Sequence, residues 1–117
     1  MQDFRDIQVW QKPHEFALRI YRITAEFPKS ESYGLVNQMR RAATSIPTNI
    51  AEGCVLDTDA QFARYLQISL GSASELDYHL LLARDLGYLS NSQSVDCHSE
   101  IDQIKKMLAS FIKRLRG

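Results

Sequence analysis

Apolar side chains recur along this chain at alternating steps of four and three, the period of a helix that buries one face. Between residues 6 and 27 the line is Val9, Pro13, Phe16, Ile20, Ile23 and Phe27. A second apolar line adjoins it, through Trp10, His14, Ala17, Tyr21 and Thr24. Residues 31–53 repeat the pattern with Val36, Met39, Ala43, Ile46 and Ile50, continued by Cys54. Residues 58–86 carry Phe62, Leu66, Ser69, Ala73, Leu76, Leu80 and Ala83. Residues 92–115 carry Cys97, Ile101, Ile104, Leu108, Phe111 and Leu115.

The ends of these segments have their own signals. Ser30 is placed to cap the second helix, and Gly53 to end it. Thr58 with Gln61, and Ser90 with Gln93, have the spacing of capping boxes. Gly87 stops the third helix, and Lys113, Arg114 and Arg116 suit the negative end of the fourth helix dipole. Pro13 cannot donate to the carbonyl of Val9, so the first helix is expected to start near Lys12 or to kink there. Pro47 predicts a bend over residues 43–47. Gly71 in mid-helix costs about 1 kcal/mol against alanine, and close approach of another helix would explain it.

No segment alternates as a strand does. Four helices on short connections predict an all-α protein, an antiparallel up-down-up-down four-helix bundle forming a single domain over residues 1–117. The third helix would span about 45 Å. The first helix is apolar over more than one stripe. Trp10, Ala17 and Tyr21 lie beside its core line, and a surface on another subunit would bury them. A homo-oligomer is therefore expected.

Composition narrows the function. With 44% hydrophobic and 24% charged residues in 117, the chain is an ordinary globular domain. No apolar run of about 18 residues exists to span a membrane. The first ten residues lack a basic region followed by an apolar stretch, so a cytoplasmic protein is expected, with Cys54 and Cys97 as free thiols. The net charge of zero weighs against a simple cationic nucleic-acid binder. It hides an uneven distribution. Residues 1–51 hold seven basic and five acidic side chains, residues 52–102 two and nine, residues 103–117 five and none.

Candidate chemistry is sparse. A di-iron bundle needs Glu-x-x-His pairs, and no Glu here has a His three residues on. Glu75 and His79 are four apart, at most half a metal site. Cys97 and His98 are neighbours, and neighbours on a helix point about 100° apart. No phosphate loop or nucleophile motif appears. No enzyme activity, metal, cofactor or small-molecule substrate is expected. The most distinctive polar set is Arg40, Arg41, Asn49, Glu52 and Glu75. Its simplest reading is a structural network between helices, with Glu75 or Glu31 as partners of Arg41. The alternative is a nucleic-acid surface of Arg40 and Arg41 with Lys105, Lys106, Lys113, Arg114 and Arg116.

Several stretches resemble one family. They are Ile7-x-Val-Trp-Gln11, Ile20-Tyr21, Phe27-Pro28, Tyr33-Gly34-Leu35, residues 38–53 with Gln38-x-Arg40-Arg41-Ala42-Ala43 and Ser45-Ile46-Pro47-x-Asn49-Ile50-Ala51-Glu52-Gly53, and Leu86-Gly87-Tyr88. The family is that of the bacterial 23S rRNA intervening-sequence proteins, similar to the accessory variability protein of diversity-generating retroelements. The resemblance implies a four-helix bundle and a homopentamer, with no catalytic residues to carry over. It also implies a link to RNA or to an RNA-processing protein partner. The retroelement proteins are strongly basic and this chain is neutral, so direct nucleic-acid binding is not implied. The expectation is an oligomeric scaffold or adaptor without enzyme activity.

Overall fold

The computed structural model describes residues 3–117 and contains four α-helices: α1 Gln8–Thr24, α2 Leu35–Gly53, α3 Asp59–Asp85 and α4 Asn91–Arg116. Short 3-10 turns at Phe4–Asp6 and Lys29–Glu31 precede α1 and α2, and there is no strand among the described residues. Each helix packs on its neighbour in the chain, and α1 also meets α4. The result is an all-α, antiparallel up-down-up-down bundle of 43 × 23 × 20 Å. Its axis is filled by Phe16, Ile20, Met39, Ile46, Ile50, Leu66, Leu76, Ile101, Ile104 and Leu108, all fully buried. Each such side chain contributes about 1.5–3 kcal/mol by leaving water.

The caps explain where α3 and α4 start. Thr58 accepts from the Gln61 amide at 3.1 Å while Gln61 Oε1 accepts from the Thr58 amide at 3.2 Å. Ser90 and Gln93 repeat the arrangement. At the end of α3, Gly87 has φ +80°. The Tyr88 amide donates to Ala83 at 2.9 Å and the Gly87 amide to Arg84 at 3.0 Å, the paired bonds of a left-handed helix stop.

Two boundaries differ from the sequence reading. Ser30 is not an N-cap; it lies in the 3-10 turn, and α2 begins at Leu35 after Gly34. Pro28, in an extended conformation, is itself the N-cap of the Lys29–Glu31 turn, which places Ser30 inside that turn. The first helix starts at Gln8, earlier than Lys12, and runs through a buried Pro13.

The seams between helices are unequal. Contact is most extensive between α2 and α3 and least between α1 and α4. In the α2–α3 seam, the buried Ser69 hydroxyl donates to the Ile46 carbonyl at 2.8 Å, and Ser45 and Ser72 hydroxyls meet at 2.8 Å. Gly53 is the glycine that close approach requires: a Cβ there would lie 2.8 Å from Tyr65 Cβ and 2.9 Å from Phe62 Cδ1. Gly71 is not. Its Cβ would meet nothing within 4 Å, because residue 71 points away from α2 while Ser69, Ser72 and Ala73 face inward. The α1–α4 seam is instead bridged by Arg19, which pairs with Glu100 and with Asp96. At one end of the bundle the Tyr88 hydroxyl donates to Glu31 at 2.9 Å, and the Phe27 and Tyr88 rings pack with centroids 5.3 Å apart.

Candidate functional site

An apolar groove of about 440 Å³ lies between α1 and α2. Phe4, Trp10, His14, Ala17, Leu18 and Tyr21 form one wall. Thr44, Pro47, Thr48, Ala51 and Glu52 of α2 form the other. The α1 wall exists because the two apolar lines of this helix cannot both face the axis: Phe16 and Ile20 take the core, and Trp10 and Tyr21 are left at its edge. The α2 wall is low because its side chains are small.

Aromatic packing holds the wall in place. Trp10 stacks on His14 with centroids 4.7 Å apart and meets Phe4 edge-on at 4.9 Å. At the far end the Arg40 guanidinium sits 4.5 Å above the Tyr21 ring. Thus Trp10, Ala17 and Tyr21 are brought to one groove. Ala17 is buried and forms its floor, whereas Leu18, 48% exposed, stands at the surface beside Tyr21, 43% exposed. Sequence reading missed Leu18 and, apart from Glu52, the α2 wall. The signal was the run of small residues Thr44, Pro47 (with Thr48) and Ala51 at steps of three to four.

The polar set Arg40, Arg41, Asn49, Glu52 and Glu75 does not form one network. Arg40 donates to Thr24 Oγ1 at 3.0 Å and to the Tyr21 carbonyl at 3.1 Å, tying α2 to α1. Arg41, about 100° further round the helix, faces α3 and shares a polar pocket of about 190 Å³ with Glu75, Gln38, Ser45 and Ser72. It makes no ion pair among the described residues. Asn49 donates to the carbonyl and hydroxyl of Ser45. Glu52 closes one end of the apolar groove. Glu31, the other candidate partner of Arg41, holds Tyr88 instead.

The basic set is divided as well. Arg40 and Arg41 lie at the α1–α2 loop end, while Phe111 packs on Phe62 at the start of α3 and so carries Lys113, Arg114 and Arg116 to the opposite end. Lys105 pairs with Asp77 at 2.7 Å and Lys106 with Asp102 at 3.0 Å, which holds the Asp102 carboxyl below its ordinary value. Arg114 lies over the Phe111 ring at 5.1 Å. Lys113 and Arg116 are exposed.

His79 is buried, and its Nδ1 has no hydrogen-bond partner among the described residues. Glu75 is exposed. No group of three or more His, Cys, Asp or Glu among the described residues could hold a metal ion, and no helix is long and apolar enough to cross a membrane. Cys97 is a free thiol, and burial pushes it above its ordinary pKa.

This fold and these residues have relatives. The family described as 23S rRNA-intervening sequence protein matches residues 5–110. The chain belongs to that family. Residues 5–110 of this 23S rRNA-intervening sequence protein include both walls of the groove except Phe4. It is also similar to a crystal structure from Bacteroides thetaiotaomicron, a protein of unknown function from the S23 ribosomal protein family. The two are 31% identical with a TM-score of 0.81, over 90% of this chain and 98% of that one. No curated protein matches the chain.

Proposed function

We propose that this 23S rRNA-intervening sequence protein is a cytoplasmic scaffold or adaptor without enzyme activity, which assembles with copies of itself as a homopentamer and serves an RNA-linked system. The observation that carries this reading is the groove between α1 and α2. A tryptophan, a leucine and a tyrosine line a surface that one chain alone leaves open. Burying an aromatic side chain contributes on the order of 2 kcal/mol, which association captures and a lone chain does not. The family's name supports the link to RNA.

Native mass spectrometry at near-physiological salt tests it. The expected result is one discrete multiple of the 13.4 kDa chain mass, lost on Trp10→Glu with helix content retained. A single-chain mass for the wild type refutes the assembly. A pull-down then separates adaptor from bystander: a scaffold retains a specific partner protein, and its absence counts against the role.

A second reading is direct RNA binding through the exposed Lys113, Arg114 and Arg116 at the end of α4. It predicts an affinity that falls steeply with salt. Absence of RNA binding at about 50 mM salt refutes it.

A further inference from the structure

Two polar rows meet along the α2–α3 seam. Gln38, Arg41 and Ser45 step by three and four along α2, and Ser72, Glu75 and His79 do so along α3. The helices are antiparallel and the Ser45 and Ser72 hydroxyls meet at 2.8 Å, so Arg41 stands level with Glu75, and Gln38 with His79. One end of this double row is satisfied within the chain: Asn49 donates to Ser45, and Ser45 meets Ser72. The other end is not. The side chains of Gln38, Arg41 and Glu75 make no hydrogen bond or ion pair among the described residues, although all three line one pocket of about 190 Å³. One turn beyond Glu75, His79 is buried, and its Nδ1 is unpartnered among the described residues. A seam built only to join two helices gains most by closing an arginine on the carboxylate opposite. Here the two share a pocket without meeting.

The charges govern what fits between them. An anion is drawn to Arg41 and repelled by Glu75, and a cation the reverse. A neutral group with an acceptor edge for the guanidinium and a donor edge for the carboxylate satisfies both. The pocket is smaller than the roughly 300–1,000 Å³ of a drug-sized site, so one small group enters it. In an RNA-linked role that group is an unstacked base, because single-stranded RNA presents splayed-out bases to be hydrogen-bonded on their edges. Guanine alone among the four bases has two acceptors side by side, O6 and N7, and two donors side by side, N1–H and the N2 amino group. The fork of an arginine matches the first pair, and the two oxygens of a carboxylate match the second.

We infer that the α2–α3 pocket binds a guanine base, with Arg41 donating to O6 and N7 and Glu75 accepting from N1–H and the N2 amino group. Gln38 and the Ser45–Ser72 hydroxyl pair complete the polar lining. The choice of ligand rests on the RNA-linked reading and not on self-assembly. The pocket reads a base, whereas Lys113, Arg114 and Arg116 at the end of α4 would meet phosphate.

Fluorescence anisotropy with short labelled all-uridine strands, changed at one central position, tests it at about 50 mM salt. The central nucleoside is uridine, guanosine, inosine (which lacks the N2 amino group) or 7-deazaguanosine (which lacks N7). Wild type is expected to bind the guanosine strand about tenfold or more tighter than the all-uridine strand, and several-fold tighter than either analogue. Glu75→Gln should no longer tell guanosine from inosine, and Arg41→Met no longer guanosine from 7-deazaguanosine. Neither side chain has a bond within the chain to lose, so both variants should melt with the wild type. Competition by guanosine monophosphate separates the sources of the base: displacement at equal concentration assigns the pocket to the free nucleotide, and weak displacement to guanine within a strand, each in keeping with the site. Equal binding of the guanosine and all-uridine strands overturns the inference and leaves the RNA link standing. A guanine preference retained by both variants overturns it as well, because the base then sits elsewhere. Binding of no strand and no monophosphate removes the site and leaves the scaffold reading to its own test.

Discussion

Replacing Gly53 by alanine tests the account of how α2 and α3 meet. The added methyl would lie 2.8 Å from Tyr65 Cβ and 2.9 Å from Phe62 Cδ1, well inside the 3.5–4.0 Å at which carbon atoms attract. Tyr65 Cβ is fixed to the α3 backbone and cannot rotate away. The Phe62 ring can turn, but it packs edge-on against Phe111 at 5.2 Å. Relief therefore requires the helices to separate. Overpacking of this kind costs about 1–3 kcal/mol. Alanine returns up to about 1 kcal/mol of helix propensity, less at the last residue of a helix. The net expectation for Gly53→Ala is a loss of about 1–2 kcal/mol. A chain of 117 residues has an unfolding entropy near 0.25 kcal/mol per kelvin, so Tm should fall by roughly 4–8 °C. Thermal melts followed at 222 nm, with wild type and variant at one protein concentration, measure it. An unchanged or raised Tm would refute the claim that Gly53 is kept by steric need.

Two further predictions follow from named contacts. Arg40→Met removes the bonds to Thr24 and to the Tyr21 carbonyl together with the ring contact; urea unfolding should show a loss of about 1–3 kcal/mol with an unchanged m-value, and a change under 0.5 kcal/mol would mean that Arg40 does not tie α1 to α2. The hydrogen bond to Glu31 raises the Tyr88 pKa above its ordinary value, so this contact is fully present below about pH 10 and is lost as pH rises through the higher folded value. A titration at 295 nm, subtracting Tyr88→Phe from wild type, should show one tyrosine ionising late, and Glu31→Gln should bring it back; a Tyr88 that ionises with the other tyrosines refutes the contact.

Periodicity made the bundle legible, because burial on one face writes the same 3.6-residue rhythm into every helix. The caps of α3 and α4 were legible because Thr58 with Gln61, and Ser90 with Gln93, are complete within four residues. What failed needed information from a second helix. Gly53 and Gly71 look alike in sequence, yet one meets Tyr65 and the other meets open space. Arg40 and Arg41 are neighbours in sequence, but the turn between them sends one to α1 and the other to α3. Half of the groove was visible as the surplus apolar line through Trp10 and Tyr21. The other half, on α2, is made of residues too small to stand out, and only the α1–α2 register places them opposite.

The inequality of the seams has a consequence for motion. Opening α2 from α3 must separate a close-packed, hydroxyl-stitched contact. Releasing α1 from α4 breaks the Arg19 pairs with Asp96 and Glu100 and opens the apolar edge where Ile7 and Val9 face Met107 and Phe111, a less extensive contact. Local openings of a folded chain follow its cheapest routes. The bundle is thus a stiff α2–α3 hairpin with a looser first helix. The groove lies along the edge of that first helix, so whatever fills it also fastens the part of the fold that opens first.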